Sequence, residues 1–306
     1  MKCLECSKEF SSAKSLHAHL KAHDGQKAYY CKFFPRYDLF DGSHIEFITK
    51  KQYFSSFFNS KYSRNLFYKN APDLDVRNLM IKEFYASSYS DKISKLPTET
   101  FFMLDDLFSF ELIKKKFGNI KNFCEKVGVE QQYFQHLPSD FWEESEEKLN
   151  FEILIDTREQ KPFEFKNSLS QKLSMGDYMT ASKYFSKMAI DRKSISDFKN
   201  SFGGSIDRIK KNLQEARNMG YKLYFIIEGM PSEIEKENDL LGKKGVSMGF
   251  IYKNVKEVLC EYSDVTQILF CLNRNFAADL TRKIIFYGER VWNVDMQYFI
   301  NKKLNL

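Results

Sequence analysis

Two segments, ILIDTREQKPF at residues 153–163 and LSMGDYMTASKYFSKMAIDRKSISDF at residues 173–198, decide how this chain is read. Their apolar runs are short, and each is broken by an acid: Asp156, Asp177 and Asp191. Short apolar runs bounded by turn signals are the mark of buried strands. An ionised carboxylate at the end of such a strand is costly unless its charge is compensated. A hard divalent cation such as Mg²⁺ or Mn²⁺ is one compensation, because it takes oxygen ligands. Residues two apart on a strand share a face, so Asp191 and Lys193 are expected to project together. A carboxylate holding a metal, beside an amine that can orient or deprotonate water, makes a hydrolytic site suited to phosphodiesters. The plain alternative is that these acids are solvated loop residues, or ion-pair partners of Arg158 and Arg192.

The same residues carry a resemblance. Ile155-Asp156-Thr157-Arg158-Glu159, then Gly176-Asp177, then Asp191-Arg192-Lys193-Ser194-Ile195-Ser196-Asp197 resemble, in order, the V/I-D-x-R-E, G-D and E-R-K-x-x-x-D motifs of the XPF-type structure-specific nucleases. The likeness continues through Ser205-Ile206-Asp207-Arg208, a helix, and the run Leu223 to Glu228. One position departs: Asp191 stands where the family has Glu, which keeps the charge but shortens the side chain by one methylene. The resemblance implies a restriction-endonuclease-like mixed α/β sheet and a metal-dependent DNA endonuclease acting on branched or otherwise structured DNA. It implies Asp156, Asp177 and Asp191 as Mg²⁺ or Mn²⁺ ligands, with Glu159 as a further candidate in the catalytic set. Lys193 would position or deprotonate the attacking water. Arg158 and Arg192 would clamp phosphate or pair with inner acids, and Asp197 and Arg208 would orient their neighbours, Arg208 also counting among the DNA contacts. Two other readings stay open: a catalytically inactive DNA-binding scaffold, and a homing-type nuclease that cuts one site.

At 306 residues the chain has room for two or three domains, and 43% hydrophobic residues suffice for real cores. No run approaches the roughly 18 apolar residues of a membrane span, and the start Met1-Lys2-Cys3 is no secretory signal. Six cysteines in this length make no disulfide framework, so a reducing, intracellular setting (cytoplasm, nucleus, or a host cell if viral) is expected. The net charge of +6 fits a polyanionic partner. Residues 151–306 hold 25 Lys and Arg against 20 Asp and Glu, and residues 1–150 hold 22 against 21, so most of the excess lies in the nuclease-like half. DNA is the expected partner, with a homo- or heterodimer through the nuclease domain and neither membrane nor small-molecule substrate.

The spacing Cys3-x2-Cys6-x12-His19-x3-His23 is that of a two-Cys, two-His zinc finger, with Phe10 and Leu16 at its core positions. A module this small needs structural Zn²⁺ to fold. Its helix offers Ser12, Lys14, Ser15 and Ala18 where related fingers read bases, and these are poor groups for bidentate readout. Lys14 and Ser15 are therefore candidates for DNA docking, with a protein contact as the equal alternative.

The chain divides, on this reading, into a ββα zinc finger at 1–26 and an aromatic, basic small domain or linker at 27–95, with Asp24-Gly25-Gln26-Lys27 resembling the linker that normally follows such fingers. A helix-turn-helix-like unit at 96–138 and an acidic linker at 139–150 follow. The nuclease domain at 151–288 and a tail at 289–306 complete it. The 27–95 tract either stacks bases between cations or forms a small core with a hairpin at Asp41-Gly42. In 96–138, Thr98, Ser109 and Asn119 are expected helix caps and Gly118 and Gly128 helix stops. That pattern is similar to the small repeats attached to homing endonucleases, which would turn Lys114, Lys115, Lys116 and Lys121 towards phosphates. Beyond the motifs, strands are expected at Leu223 to Ile227 and Gln267 to Leu272, helices at Val255 to Tyr262 and Phe276 to Tyr287, and a loop at Glu233 to Gly249. With eighteen residues after Gly288, the paired helix-hairpin-helix module that usually follows this nuclease domain is expected to be missing.

Overall fold

The computed structural model describes residues 1–35, 67–86, 93–104, 107–143, 151–181, 187–240 and 246–306. Two compact units emerge: residues 1–91 with 106–128, and residues 92–105 with 129–306. The expected hairpin at Asp41-Gly42 and the acidic residues Glu144, Glu146 and Glu147 lie outside the described residues.

The second unit is built on a six-stranded mixed sheet in the order β2-β1-β3-β4-β5-β6. The strands are β1 (Ile153–Asp156), β2 (Ser168–Gln171), β3 (Tyr178–Thr180), β4 (Met188–Lys193), β5 (Lys222–Ile227) and β6 (Thr266–Phe270). β4, β5 and β6 run parallel, β3 runs antiparallel to both β1 and β4, and β2 adds a parallel edge to β1. All six residues of β5 are buried, as a central parallel strand requires. Side chains alternate across the sheet. One face (Tyr178, Met188, Ile190, Tyr224, Ile226, Leu269) packs with Ala277, Leu280, Ile284, Met296 and Ile300 of the C-terminal helices. Those helices, Arg274–Tyr287 and Met296–Leu304, make residues 289–306 part of this core rather than a tail. The opposite face carries Asp191, Lys193, Phe225 and Phe270. Phe198 packs edge-on to Phe270 at 5.5 Å and Phe202 to Phe225 at 5.8 Å, each ring worth about 1.5–3 kcal/mol by burial. These two phenylalanines come from the helix Ile195–Gly204, which is followed by Ile206–Met219 and its left-handed stop at Gly220.

Two expectations change here. Glu233 to Gly249 is not one loop: a helix covers Pro231–Leu240 and another runs Met248–Glu261. The helix-turn-helix-like unit is divided, because its first helix, Glu99–Leu104, belongs to the second unit. The Thr100 hydroxyl donates to the Ile268 carbonyl at 2.7 Å, and the Glu99 amide donates to Asp295 at 2.7 Å. Asp295, not Thr98, thus caps this helix; the Thr98 hydroxyl is buried without a hydrogen bond.

The first unit contains the other two expected helices, Phe110–Phe117 and Ile120–Val127, capped by Ser109 and Asn119 and stopped by Gly118 and Gly128. They pack on a helix at Asp73–Ala86, with the ring of Phe123 against Phe84, Phe108 and Phe117. The N-terminal helix Ala13–His19 is capped by Ser12. What read as a linker after His23 instead starts a helix, Gly25–Phe33. Tyr29 from it joins Cys3, Leu16 and Leu20 in a small core and accepts a hydrogen bond from the Leu4 amide at 3.0 Å, so this N-terminal core extends past residue 26.

Candidate active site

The motif acids gather where strand ends meet at one rim of the sheet. Asp156 ends β1, Asp177 precedes β3, and Asp191 to Lys193 end β4. In open α/β sheets the carboxyl ends of parallel strands are the usual place for ligands. Gly176 makes the approach possible. Its φ is +65°, and a Cβ there would sit 2.7 Å from the Ile190 carbonyl oxygen. Without that Cβ, the Asp177 amide donates to the same oxygen at 2.6 Å and pins Asp177 beside β4.

Each charge has a distinct environment. The buried Asp156 carboxylate accepts four hydrogen bonds: from the Arg158 amide and Nε, both 2.7 Å, and from Arg158 Nη2 and the Leu173 amide, both 2.8 Å. The Arg158 side chain holds this carboxyl far below its usual range. All its lone-pair sites are used, so Asp156 is placed as an anchor for Arg158 rather than as an open metal ligand. Glu159 is likewise committed, accepting from Arg192 Nε and Nη2 at 3.2 Å each. Arg192 reaches Glu228 on its other side at 3.1 Å. Burial opposes the charge of Arg192, but Glu159 and Glu228 more than offset it and raise its pKa. Asp156 and Glu159 are thus each ion-paired with an arginine.

Asp191 and Lys193 share a face, as their spacing requires, and form an ion pair about 15% exposed. Asp177 differs. It accepts the Arg192 amide at 2.7 Å but pairs with no cationic side chain among the described residues. Burial, then the nearby Asp191 carboxylate, push its pKa up to about 7, against the pull of Lys193. Two carboxylates held together with one unmatched charge form an environment a divalent cation would relieve. Arg208 is the converse, an exposed cation with no ion pair among the described residues. Two cavities, of about 630 and 950 Å³, meet at Arg158, Asp177, Lys193, Ser201 and Arg208, so these groups line one continuous trench. Asp197 stands at its edge as a cap partner of Ser194.

Glu228 and Arg274 also line the trench. Glu228 carried a usable signal, an acid closing an apolar run as Asp156 and Asp191 do. Arg274, the first residue of its helix, had none.

In the first unit, Cys3, Cys6, His19 and His23 bring one donor atom each within 4.8 Å of all the others, the only such cluster among the described residues. His19 Nε2 lies 3.2 Å from Cys6 Sγ and 3.0 Å from His23 Nε2. Two sulfurs and two nitrogens this close suit tetrahedral Zn²⁺ and fit a zinc finger. Lys14 is exposed, and the Ser15 hydroxyl bonds Ser12 at 2.8 Å. Among the expected phosphate contacts, Lys115 and Lys121 are exposed and Lys114 bridges Glu111. Lys116 is buried and paired with Asp73 at 2.6 Å.

Residues 155–284 match the family model of the ERCC4 domain, so this part of the chain is an XPF-type nuclease domain. Among solved structures, the chain is similar to XPF from Aeropyrum pernix (18% identity, 45% of this chain, 67% of that one, TM-score 0.34). It is also similar to XPF from Aeropyrum pernix in complex with DNA (16% identity, 46% of this chain, 66% of that one, TM-score 0.33). The likeness thus spans about two thirds of those chains. A comparison with curated proteins found no match. No helix among the described residues is long and apolar enough to cross a membrane.

Proposed function

We propose that this protein is a Mg²⁺- or Mn²⁺-dependent endodeoxyribonuclease acting on branched or otherwise structured DNA. The observation that carries the reading is the Asp177 carboxylate, without a cationic partner among the described residues, lining one cavity with Asp191 and Lys193 and feeling the Asp191 charge, inside an ERCC4 domain. Asp177 and Asp191 are the residues that would hold the ion. Bound there, it would supply Lewis-acid polarisation of a phosphoryl oxygen and lower the pKa of water.

The protein's own groups do the rest. Lys193, held over the Phe225 ring at 5.9 Å, presents its amine to orient water and to offset charge developing on phosphorus. Arg208 grips a neighbouring phosphate, a task its unpaired guanidinium fits. Arg158, whose guanidinium is held in plane by the Asp156 anchor, flanks the same phosphate from the β1 side. Glu159 keeps Arg192 in place, and the Arg192 amide keeps Asp177 oriented.

The first unit is the proposed DNA grip, through exposed Lys14, Lys115 and Lys121 and a Zn²⁺-folded finger. The test is cleavage of flapped, forked, branched and plain duplex DNA with Mg²⁺ or Mn²⁺, by wild type and Asp177→Ala. Ion-dependent cuts at junctions by wild type alone are expected. Binding without cleavage by both proteins would favour the inactive scaffold, and a single cut in a long natural duplex would favour a homing-type enzyme.

A further inference from the structure

Arg274 closes a row of alternating charges that begins in the motif. Glu159 holds Arg192 by two bonds, Arg192 Nη1 reaches Glu228 Oε1 at 3.1 Å, and the same oxygen accepts from Arg274 Nη1. Arg274 Nη2 then turns to the carbonyls of Lys161 and Pro162, at 2.6 and 2.8 Å, and the guanidinium lies 4.8 Å from the Phe163 ring. The turn it grasps leans heavily on side chains. The Lys161 amide donates to the Glu159 carboxylate at 2.7 Å, Pro162 has no amide to give, and the Phe163 amide donates to the Tyr178 hydroxyl at 2.9 Å.

We propose that Arg274, acting with Glu228, is a positioning residue: it fastens the 159–162 turn to the ends of β4 and β5, and so fixes Arg192 and, through the Arg192 amide, Asp177. The chemistry asks for arginine. One planar fork must serve a carboxylate and two carbonyls at once, which a lysine amine, a point charge on a flexible stem, does poorly. The effect on rate rests on the nuclease reading; the fastening does not.

Two readouts separate them in the full chain. In Arg274→Met, the amides of Lys161 and Phe163 are expected to exchange roughly ten times faster with deuterium, while those of β5 and β6 hold. In ion-dependent cleavage, kcat is expected to fall about 10- to 100-fold, as sub-ångström misplacement does, with KM within about 3-fold. Arg274→Lys should recover part of both, a recovery that a role in global stability alone would not couple to kcat. Glu228→Gln, which keeps an acceptor but loses the charge, serves as the milder second variant, with the same changes in smaller measure. Unchanged exchange at Lys161 and Phe163 in Arg274→Met overturns the proposal, as does unchanged kcat in an active enzyme. A wild type that cleaves no DNA overturns the nuclease reading, and the exchange result alone then decides the fastening.

Discussion

Replacing Gly176 by alanine probes the joint between the sheet and the acids. The residue has a φ of +65°, where an L side chain costs about 1–2 kcal/mol. The added Cβ would stand 2.7 Å from the Ile190 carbonyl oxygen and 3.2 Å from the Ala189 Cβ, both part of β4. Backbone in a sheet cannot step aside alone, so the turn must move and stretch the 2.6 Å bond from the Asp177 amide, worth about 1 kcal/mol more. The sum is roughly 2–3 kcal/mol, or about 4–12 °C in Tm for a unit of this size. Gly204, at the end of its helix with nothing within 4 Å of an added Cβ, is the matched control. Gly204→Ala should be neutral or stabilise by up to about 1 kcal/mol. Thermal and urea unfolding of both variants, with cleavage assayed well below Tm, reads the outcome. A Gly176→Ala protein that unfolds with wild type, or that keeps full cleavage, would refute the reasoning that Gly176 seats Asp177.

Asp177→Asn removes a half-buried carboxylate that repels Asp191. It should raise Tm while lowering cleavage by roughly 10²-fold or more, so a variant that is both less stable and active contradicts the assigned role. Asp295 is fully buried, and burial pushes its carboxyl from 3.8 up to about 7, even against hydrogen bonds from the Glu99, Tyr298 and Gln297 amides. The folded state therefore binds more protons than the unfolded one between those values, and stability falls as pH rises through that window, by at most about 1.4 kcal/mol per unit. Asp295→Asn should flatten that slope in urea titrations run from pH 4 to 8. Stripping Zn²⁺ with a chelator should abolish amide protection across residues 1–35, including Gly25–Phe33, while leaving the unfolding of the nuclease unit unchanged. In DNA binding, Lys121→Met should lower the slope of log Kd against log salt by about one, whereas Lys116→Met should leave it unchanged.

The sequence was most legible where chemistry is local. The finger spacing, the Ser109 and Asn119 caps, the glycine stops and the acid-terminated apolar runs each need only near neighbours, and the fold follows them. It was least legible where partners are chosen at a distance. Asp156 and Glu159 carry the same charge as Asp177, and nothing in the motif says that two arginines occupy the first pair and leave the last exposed to a cation. Burial separates them: the Asp156 and Glu159 side chains are buried against Arg158 and Arg192, whereas Asp177 is only half-buried. Arg274 finds its three acceptors across 46, 113 and 112 residues of chain. The helix Gly25–Phe33 was hidden because DGQK resembles a linker, while Tyr29 is recruited by the core around Cys3. The helix Glu99–Leu104 reads like its two successors, yet Ile268 and Asp295 claim it for the other unit.

The central claim is that Asp177 and Asp191 share one divalent ion while Lys193 acts beside it. Calorimetric titration of Mn²⁺ into the zinc-loaded protein tests this most directly, using wild type, Asp177→Asn, Asp191→Asn and Lys193→Met. One additional Mn²⁺ per chain is expected for wild type and for Lys193→Met, and none for either aspartate variant. Equal Mn²⁺ binding by Asp177→Asn and wild type would contradict the claim.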